Sequence, residues 1–207
     1  MTDDYAAAFA ALGAATLGEC GGRPMAPRVR PAWSGARVSA PAFPVNCSTT
    51  DNLAIHVAVA EAPAGSVLVV NVGHEHARGY WGEVLTTGAE ARGLHGLVID
   101  GGVRDVDALE AHRFPVFSTM IALRGATKQE LGSIGGAAIV GDVEVACGDW
   151  IVADADGVTV VPHAHLDDVL AAGRLRAEKE EHFFEALRAG RTTIQLLALD
   201  DTPIERS

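Results

Sequence analysis

Two periods of hydrophobic spacing alternate along this chain, separated by short breaks rich in glycine or proline. An alanine-rich run over residues 2–20 has helical character, and Gly13 and Gly18 divide it into two pieces. Residues 21–35 carry Pro24, Pro27 and Pro31 and read as an extended connector. Residues 37–47 read as a strand, and Pro41 and Pro44 within it place it near a sheet edge. Residues 52–61 suit a helix, but Leu53, Ile55, Val57 and Val59 alternate, so a strand is the competing reading. The run SVLVVNV, residues 66–72, is apolar enough for a central strand. A helix follows over residues 81–91, then a short strand over residues 96–100. A further helix runs from Asp105 to about His112, and a strand covers residues 114–119. Residues 124–136, RGATKQELGSIGG, read as a long polar loop, or a loop with a helical turn, of the kind that carries function. Residues 137–161 hold four short strands, AAIV, VEVAC, WIVAD and GVTVV, with turn signals at Gly141-Asp142, Gly148-Asp149 and Asp156-Gly157. Residues 162–189 form a long helix with charged faces that Gly190 ends, followed by a tail or subunit-contacting arm. By itself this pattern specifies a mixed α and β single domain.

Composition narrows the class. The chain has 207 residues, enough for one domain with a substantial core. Hydrophobic residues make up 48% and charged residues 21%, a globular balance, while aromatics reach only 5%. The formal net charge is −11, with no basic patch or stripe, which argues against a nucleic-acid partner. An anionic substrate must then be attracted locally, by a metal ion or a fixed arginine. Cys20, Cys47 and Cys147 are too scattered for a disulfide framework or a zinc site and read as small buried hydrophobes. No stretch has the length of a membrane span, and residues 1–5, MTDDY, do not resemble a leader, so the expectation is a cytoplasmic protein with no membrane partner.

The candidate chemistry centres on residues 82–105, GEVLTTGAEARGLHGLVIDGGVRD. The strand GLVID leads into Gly101 and Gly102, which allow a sharp turn and close approach of the backbone to a ligand. Arg104 and Asp105 stand just beyond, at a strand end, where ligands of α/β sheets bind. The guanidinium fork can hold a carboxylate or enolate oxygen, and the carboxylate can bind a hard divalent ion. Asp105 as the N-cap of the next helix is a compatible reading. The helix start at Gly82, Glu83, Val84 and Leu85 offers unpaired amides and a positive dipole end, a seat for a carboxylate. His74 and His76 around Glu75 invite a metal reading, but a loop bounded by glycines need not be extended and the pattern places no third histidine beside them. His56 reads as a satisfied core or interface histidine. Arg28, Arg30 and Arg37 read as a solvated or subunit-facing connector. Asp149, Asp154 and Asp156 fit turn chemistry better than metal ligation. No phosphate loop or dinucleotide fingerprint is present. No lysine sits in an apolar strand, which disfavours Schiff-base chemistry.

GLVIDGGVRD, with WGEVL upstream, DNLAIHVAVAEAPAGSVLVVNVG before it and GDWIVADADGVTVVP after it, resembles the 4-hydroxy-4-methyl-2-oxoglutarate aldolases. These are class II, metal-dependent pyruvate aldolases, grouped with regulator-of-ribonuclease-activity-A-like proteins. The likeness covers roughly residues 10–190. It implies a single-domain swivelling β/β/α sandwich over residues 1–207, with an N-terminal helical segment to about residue 35 and a C-terminal helix and tail from about residue 162. It also implies a homotrimer or homohexamer. The implied activity is cleavage of a 4-hydroxy-2-oxo acid to pyruvate and a second carbonyl compound, with oxaloacetate decarboxylation at the same site. The resemblance assigns Mg²⁺ or Mn²⁺ to Asp105, and the small-molecule oxo-acid substrate to Arg104 and the segment Gly82, Glu83, Val84 and Leu85. Glu83 matches an acidic position that organises water. Glu180, in the pair Lys179-Glu180, matches a glutamate that reaches a neighbouring subunit's site, with Glu178 and Glu181 as register alternatives. Loop 124–136 departs most from the family's aldolases and leaves the far half of the substrate open. The alternative implied by the same resemblance is a non-catalytic regulator that binds an RNA-processing enzyme.

Overall fold

The computed structural model describes residues 2–205. In chain order the elements are α1 (Thr2–Glu19), β1 (Arg23–Pro24), β2 (Arg30–Pro31), β3 (Val38–Cys47), α2 (Leu53–Glu61), β4 (Val67–Asn71), β5 (Gly79–Trp81), α3 (Glu83–Ala91), β6 (Gly96–Val103), α4 (Val106–His112), β7 (Val116–Ile121), β8 (Gly132–Ile134), β9 (Ala137–Val140), β10 (Val143–Ala146), β11 (Trp150–Asp154), β12 (Gly157–Val161), a 3₁₀ turn at His163–His165, α5 (Leu166–Arg188) and α6 (Thr193–Leu197). The end of the C-terminal tail, residues 206–207, lies outside the described residues.

One large sheet runs β1-β12-β11-β3-β4-β6-β7-β2, with β5 beside β6 and β8 beside β3. Strands β3, β4, β6 and β7 are parallel neighbours. Helices α2, α3 and α4 make the crossovers that parallel pairing requires. Side chains alternate strictly between two faces. Leu68, Val70, Leu97 and Ile99 pack with Ile55, Leu85 and Leu109 of the crossover helices. Val67, Val69 and Val98 face the other way, against Ile151, Val158 and Val160 of the returning β11 and β12. Phe9, Leu17, Trp150, Val161 and Leu166 then seat α1 and α5 on the outside of those strands. The sheet is therefore curled into two β layers with helices outside, the mixed α/β architecture expected.

Several expectations are corrected by the topology. Strand β3 is interior, not near an edge, because it changes neighbours along its length. Residues 38–41 pair with β11 and residues 42–46 with β4. Ala42 bonds on the β11 side through both its N–H and its C=O. Pro41, one residue earlier, turns its missing N–H toward the side where β4 has not yet begun. Pro44 accepts from Gly135 on the β11 side, so its missing donor costs no bond to β4. The glycine pair makes no turn either. Gly101 and Gly102 lie inside β6, which extends to Val103. A Cβ on Gly102 would sit 2.5 Å from the Arg78 carbonyl oxygen, so these glycines admit a neighbouring chain. Strand β7 begins two residues later than expected. Arg28 is no free connector residue: it donates to the buried Asp100 and makes a two-pronged pair with Asp142 at 2.7 Å. The cysteines are free, but none is fully buried as expected: Cys20 and Cys47 are half-buried and Cys147 is exposed. Burial pushes the Cys47 thiol up to about 12, which keeps it unreactive.

Candidate active site

The C-terminal end of β6 meets the N-terminus of α3 in a cleft of about 260 Å³. Trp81 fixes that junction from below: it is buried, stacks on Phe114 at 5.9 Å, and its indole N–H donates to Thr86 Oγ1 at 2.7 Å. The backbone N–H of Arg104 donates to the Trp81 carbonyl at 2.9 Å, which ties the two strand ends together. The turn out of β6 comes at Asp105, in the left-handed region with φ 58°, just before α4. Asp105 Oδ2 accepts from the Glu83 N–H at 3.1 Å and lies 3.7 Å from Arg104 Nε. Asp105 is thus the residue preceding α4 in position, but its carboxylate serves the start of α3. Gly82 makes this possible, since a Cβ there would stand 2.3 Å from Asp105 Oδ2. The first intrahelical bond of α3 runs from the Thr86 N–H to the Gly82 carbonyl, so the Val84 and Leu85 amides precede the helical ladder. Both residues line the cleft, with Arg104, Asp105 and Gly82.

The opposite wall comes from α2 and the 124–136 loop, through Asn52, His56, Gly125, Ala126 and Lys128. Asp51 ties these two pieces together. Its Oδ1 accepts from the Leu53 N–H at 2.8 Å and its Oδ2 from the Gln129 N–H at 2.6 Å. Burial alone would raise its pKa, but these amide donors overcome it and hold the carboxyl below its usual value. His56 is not a satisfied histidine: its Nε2 is buried and without a partner. Burial, and then the charge of Lys128, press its pKa down, against an opposing pull from Asp51.

A hard divalent ion fits Asp105. Both contacts described above use Oδ2, which leaves Oδ1 available. Among the described residues no group of three or more His, Cys, Asp or Glu side chains could hold a metal. Mg²⁺ and Mn²⁺ need no such group, because Mg²⁺ keeps several waters and takes one or two carboxylates beside its substrate. His74 and His76 belong to no such group among the described residues, and His76 Nδ1 lies 2.6 Å from the Asp100 carbonyl oxygen.

A family model described as RraA-like: Aldolase/RraA matches residues 5–160. The chain belongs to the RraA-like family. It is 33% identical over 153 residues to a Halalkalibacterium halodurans protein provisionally named 4-hydroxy-4-methyl-2-oxoglutarate aldolase, covering 74% of this chain and 73% of that one. An uncharacterized protein from Pseudomonas syringae pv. tomato shares the fold with a TM-score of 0.78, 24% identity, and coverage of 94% and 97%. A Streptomyces coelicolor protein, RraAS2, described as an unusual member of the RNase ES inhibitor RraA protein family, matches with a TM-score of 0.76, 24% identity, and coverage of 89% and 98%.

Of the residues that the RraA-like resemblance singles out, Gly82, Val84, Leu85, Arg104 and Asp105 come together in one cleft. Glu83 contributes its amide, while its side chain lies 3.7 Å from His112, which in turn contacts Glu90 at 2.8 Å. Glu180 is elsewhere in this chain, on α5, paired with Arg176 at 2.8 Å. Asn52, His56 and Lys128 escaped the sequence reading as site residues. Their only sequence signal is weak: Asn52 and His56 are spaced to share one side of α2, and Lys128 lies in the loop already singled out for the far half of a substrate.

Proposed function

We propose that this RraA-like protein is a divalent-metal-dependent aldolase that cleaves a 4-hydroxy-2-oxo acid to pyruvate and a second carbonyl compound, and that it also decarboxylates oxaloacetate. The observation that carries the reading is the convergence of Arg104, Asp105 and the first-turn amides of α3 on one cleft. The Val84 and Leu85 amides hold the C1 carboxylate, where hydrogen bonding and the helix dipole both favour an anion. Arg104 places its guanidinium where charge develops on the C2 oxygen as the C3–C4 bond breaks. That electron pair becomes the pyruvate enolate, which takes a proton at C3. In oxaloacetate the same bond releases carbon dioxide. Asp105 holds Mg²⁺ or Mn²⁺, which when bound acts as a Lewis acid on the substrate carbonyl. Glu83, with Glu180 of a second copy, organises the water that accepts the 4-hydroxyl proton.

The test is a pair of conservative variants, Arg104→Lys and Asp105→Asn. Arg104→Lys keeps the charge but loses the fork, and turnover is expected to fall about 100-fold or more. Turnover at the wild-type rate in either variant contradicts the assignment. A regulator that binds an RNA-processing enzyme is the second reading, favoured by the fold likeness to RraAS2. It predicts capture of such an enzyme with no pyruvate release.

A further inference from the structure

The two histidines around Glu75 do not line the cleft, yet one of them grips the strand that carries it. Strand β7 borders β6 as far as Val103, so β4 and β5 share the opposite edge of β6. Pairing with β4 ends at Asn71 opposite Asp100, and pairing with β5 begins at Gly79 opposite Gly102. Between these points the chain leaves the sheet over residues 72–78 and has to return in register. His76 is where it returns. Its backbone carbonyl accepts from the Gly102 N–H at 2.9 Å, and its Nδ1 lies 2.6 Å from the Asp100 carbonyl oxygen. A carbonyl can only accept, so Nδ1 carries the proton and donates. One residue thus holds β6 at two points, with its backbone and with its ring. The Asp100 carboxylate, 6% exposed and held by Arg28 and the Gly141 N–H, stands 3.5 Å from the same Nδ1 and favours the same tautomer. Glu75 turns back on the loop itself, its Oε1 accepting from the Ala77 N–H at 3.0 Å and its carbonyl from the Tyr80 hydroxyl.

We propose that His76 is a positioning residue for the cleft, acting through β5 and β6. Strand β5 runs directly into Gly82 and the Val84 and Leu85 amides, and β6 runs into Arg104 and Asp105. The placement of the carboxylate seat against the guanidinium therefore depends on where β5 starts along β6. Backbone pairing alone specifies that start weakly. The register shifts between Gly79 and Trp81, and Gly79 and Gly102 pair with no side chains to set the spacing. The ring bond to Asp100 supplies the missing constraint. A misplacement of about 1 Å between the seat and Arg104 costs up to about 100-fold in rate. The role is mechanical and asks the imidazole neither to bind a metal nor to move a proton. This inference rests on the aldolase reading.

The test reads two quantities on each variant: kcat for pyruvate release with Mg²⁺, and amide hydrogen exchange over residues 100–105 by mass spectrometry. His76→Leu keeps the bulk and loses the donor. Its kcat is expected to fall about tenfold or more, and exchange over residues 100–105 to quicken. His76→Asn puts an amide N–H where Nδ1 stands and restores both. His76→Gln, whose amide reaches to where Nε2 stands, restores neither. Asparagine does not titrate and offers no imidazole to a metal, so its rescue isolates the donated bond. Wild-type kcat in His76→Leu, unchanged exchange in His76→Leu, or equal kcat in His76→Asn and His76→Gln overturns the inference and leaves the aldolase reading standing. The Asn and Gln comparison decides the matter even where His76→Leu fails to fold. No pyruvate from wild type removes the aldolase reading and the role of His76 with it.

Discussion

Gly82 is the residue on which the cleft's geometry turns most sharply. Its φ is −171°, an extended conformation that any residue adopts, so its identity is dictated by space and not by backbone strain. Gly82→Ala puts a methyl group 2.3 Å from Asp105 Oδ2 and forces the carboxylate away from the Glu83 amide. Turnover is expected to fall about 100-fold, the cost of displacing a reacting group by about 1 Å, with only a small change in Tm. Wild-type kinetics in this variant would show that the position of Asp105 does not matter. The same local reading decides how Asp105 itself is best replaced. At φ 58° alanine adds backbone strain, whereas asparagine tolerates the left-handed region and removes only the charge. Arg104 and Asp105 were legible in the sequence because two unlike charges at a strand end are chemically conspicuous. Asn52 was not, since one amide in a capping segment looks the same whether or not its oxygen is satisfied.

At the scale of elements, α2 and the 124–136 loop form one unit through Asp51. The carboxylate is 1% exposed and receives amide donors from both pieces. Asp51→Asn loses the charge on those bonds, and chemical denaturation at neutral pH is expected to show a loss of about 1–3 kcal/mol. The sign with pH follows from the depressed pKa. The stabilisation is fully present above the carboxyl's unfolded pKa and is lost as pH falls through the lower, folded value. The gap between wild type and Asp51→Asn should therefore close in acid; a gap of constant size would mean that charge plays no part. Most elements were readable from periodicity, and glycine's poor helix propensity marked the kink at Gly13, where φ is 79°, although Gly18 lies inside α1 and does not interrupt it. The position of β3 was not. Its prolines point their missing donors to sides where no bond is lost, and that depends on which partner lies beside which half of the strand. The role of the Gly101-Gly102 pair was misread for a similar reason: close approach of β5 is a tertiary fact with no local signature.

For the whole molecule, the central issue is how the cleft is completed. Glu180 lies on α5 and pairs within its own chain, away from the cleft. Val84, which lines the cleft, is 80% exposed, and Leu123, two residues before the cleft-lining Gly125, is 83% exposed. Both observations suit a second copy seated there, with its Glu180 entering the site. The prediction is a trimer or hexamer by sedimentation. Arg104→Lys and Glu180→Gln chains, each impaired alone, should regain turnover when co-assembled, because some sites then hold an intact Arg104 from one copy and an intact Glu180 from the next. Failure to recover, or full activity of Glu180→Gln by itself, removes Glu180 from the mechanism. Among the described residues no helix is long and apolar enough to cross a membrane, as the hydropathy pattern implied.

Pyruvate release from oxaloacetate and from 4-hydroxy-4-methyl-2-oxoglutarate, first with EDTA and then with added Mg²⁺ or Mn²⁺, tests the central claim most directly. The predicted result is negligible release in EDTA and restored release with the metal for both substrates, since both leave the same enolate in the same cleft. Release that is indifferent to EDTA would contradict the role given to Asp105. No release from either substrate with either metal would contradict the aldolase reading itself.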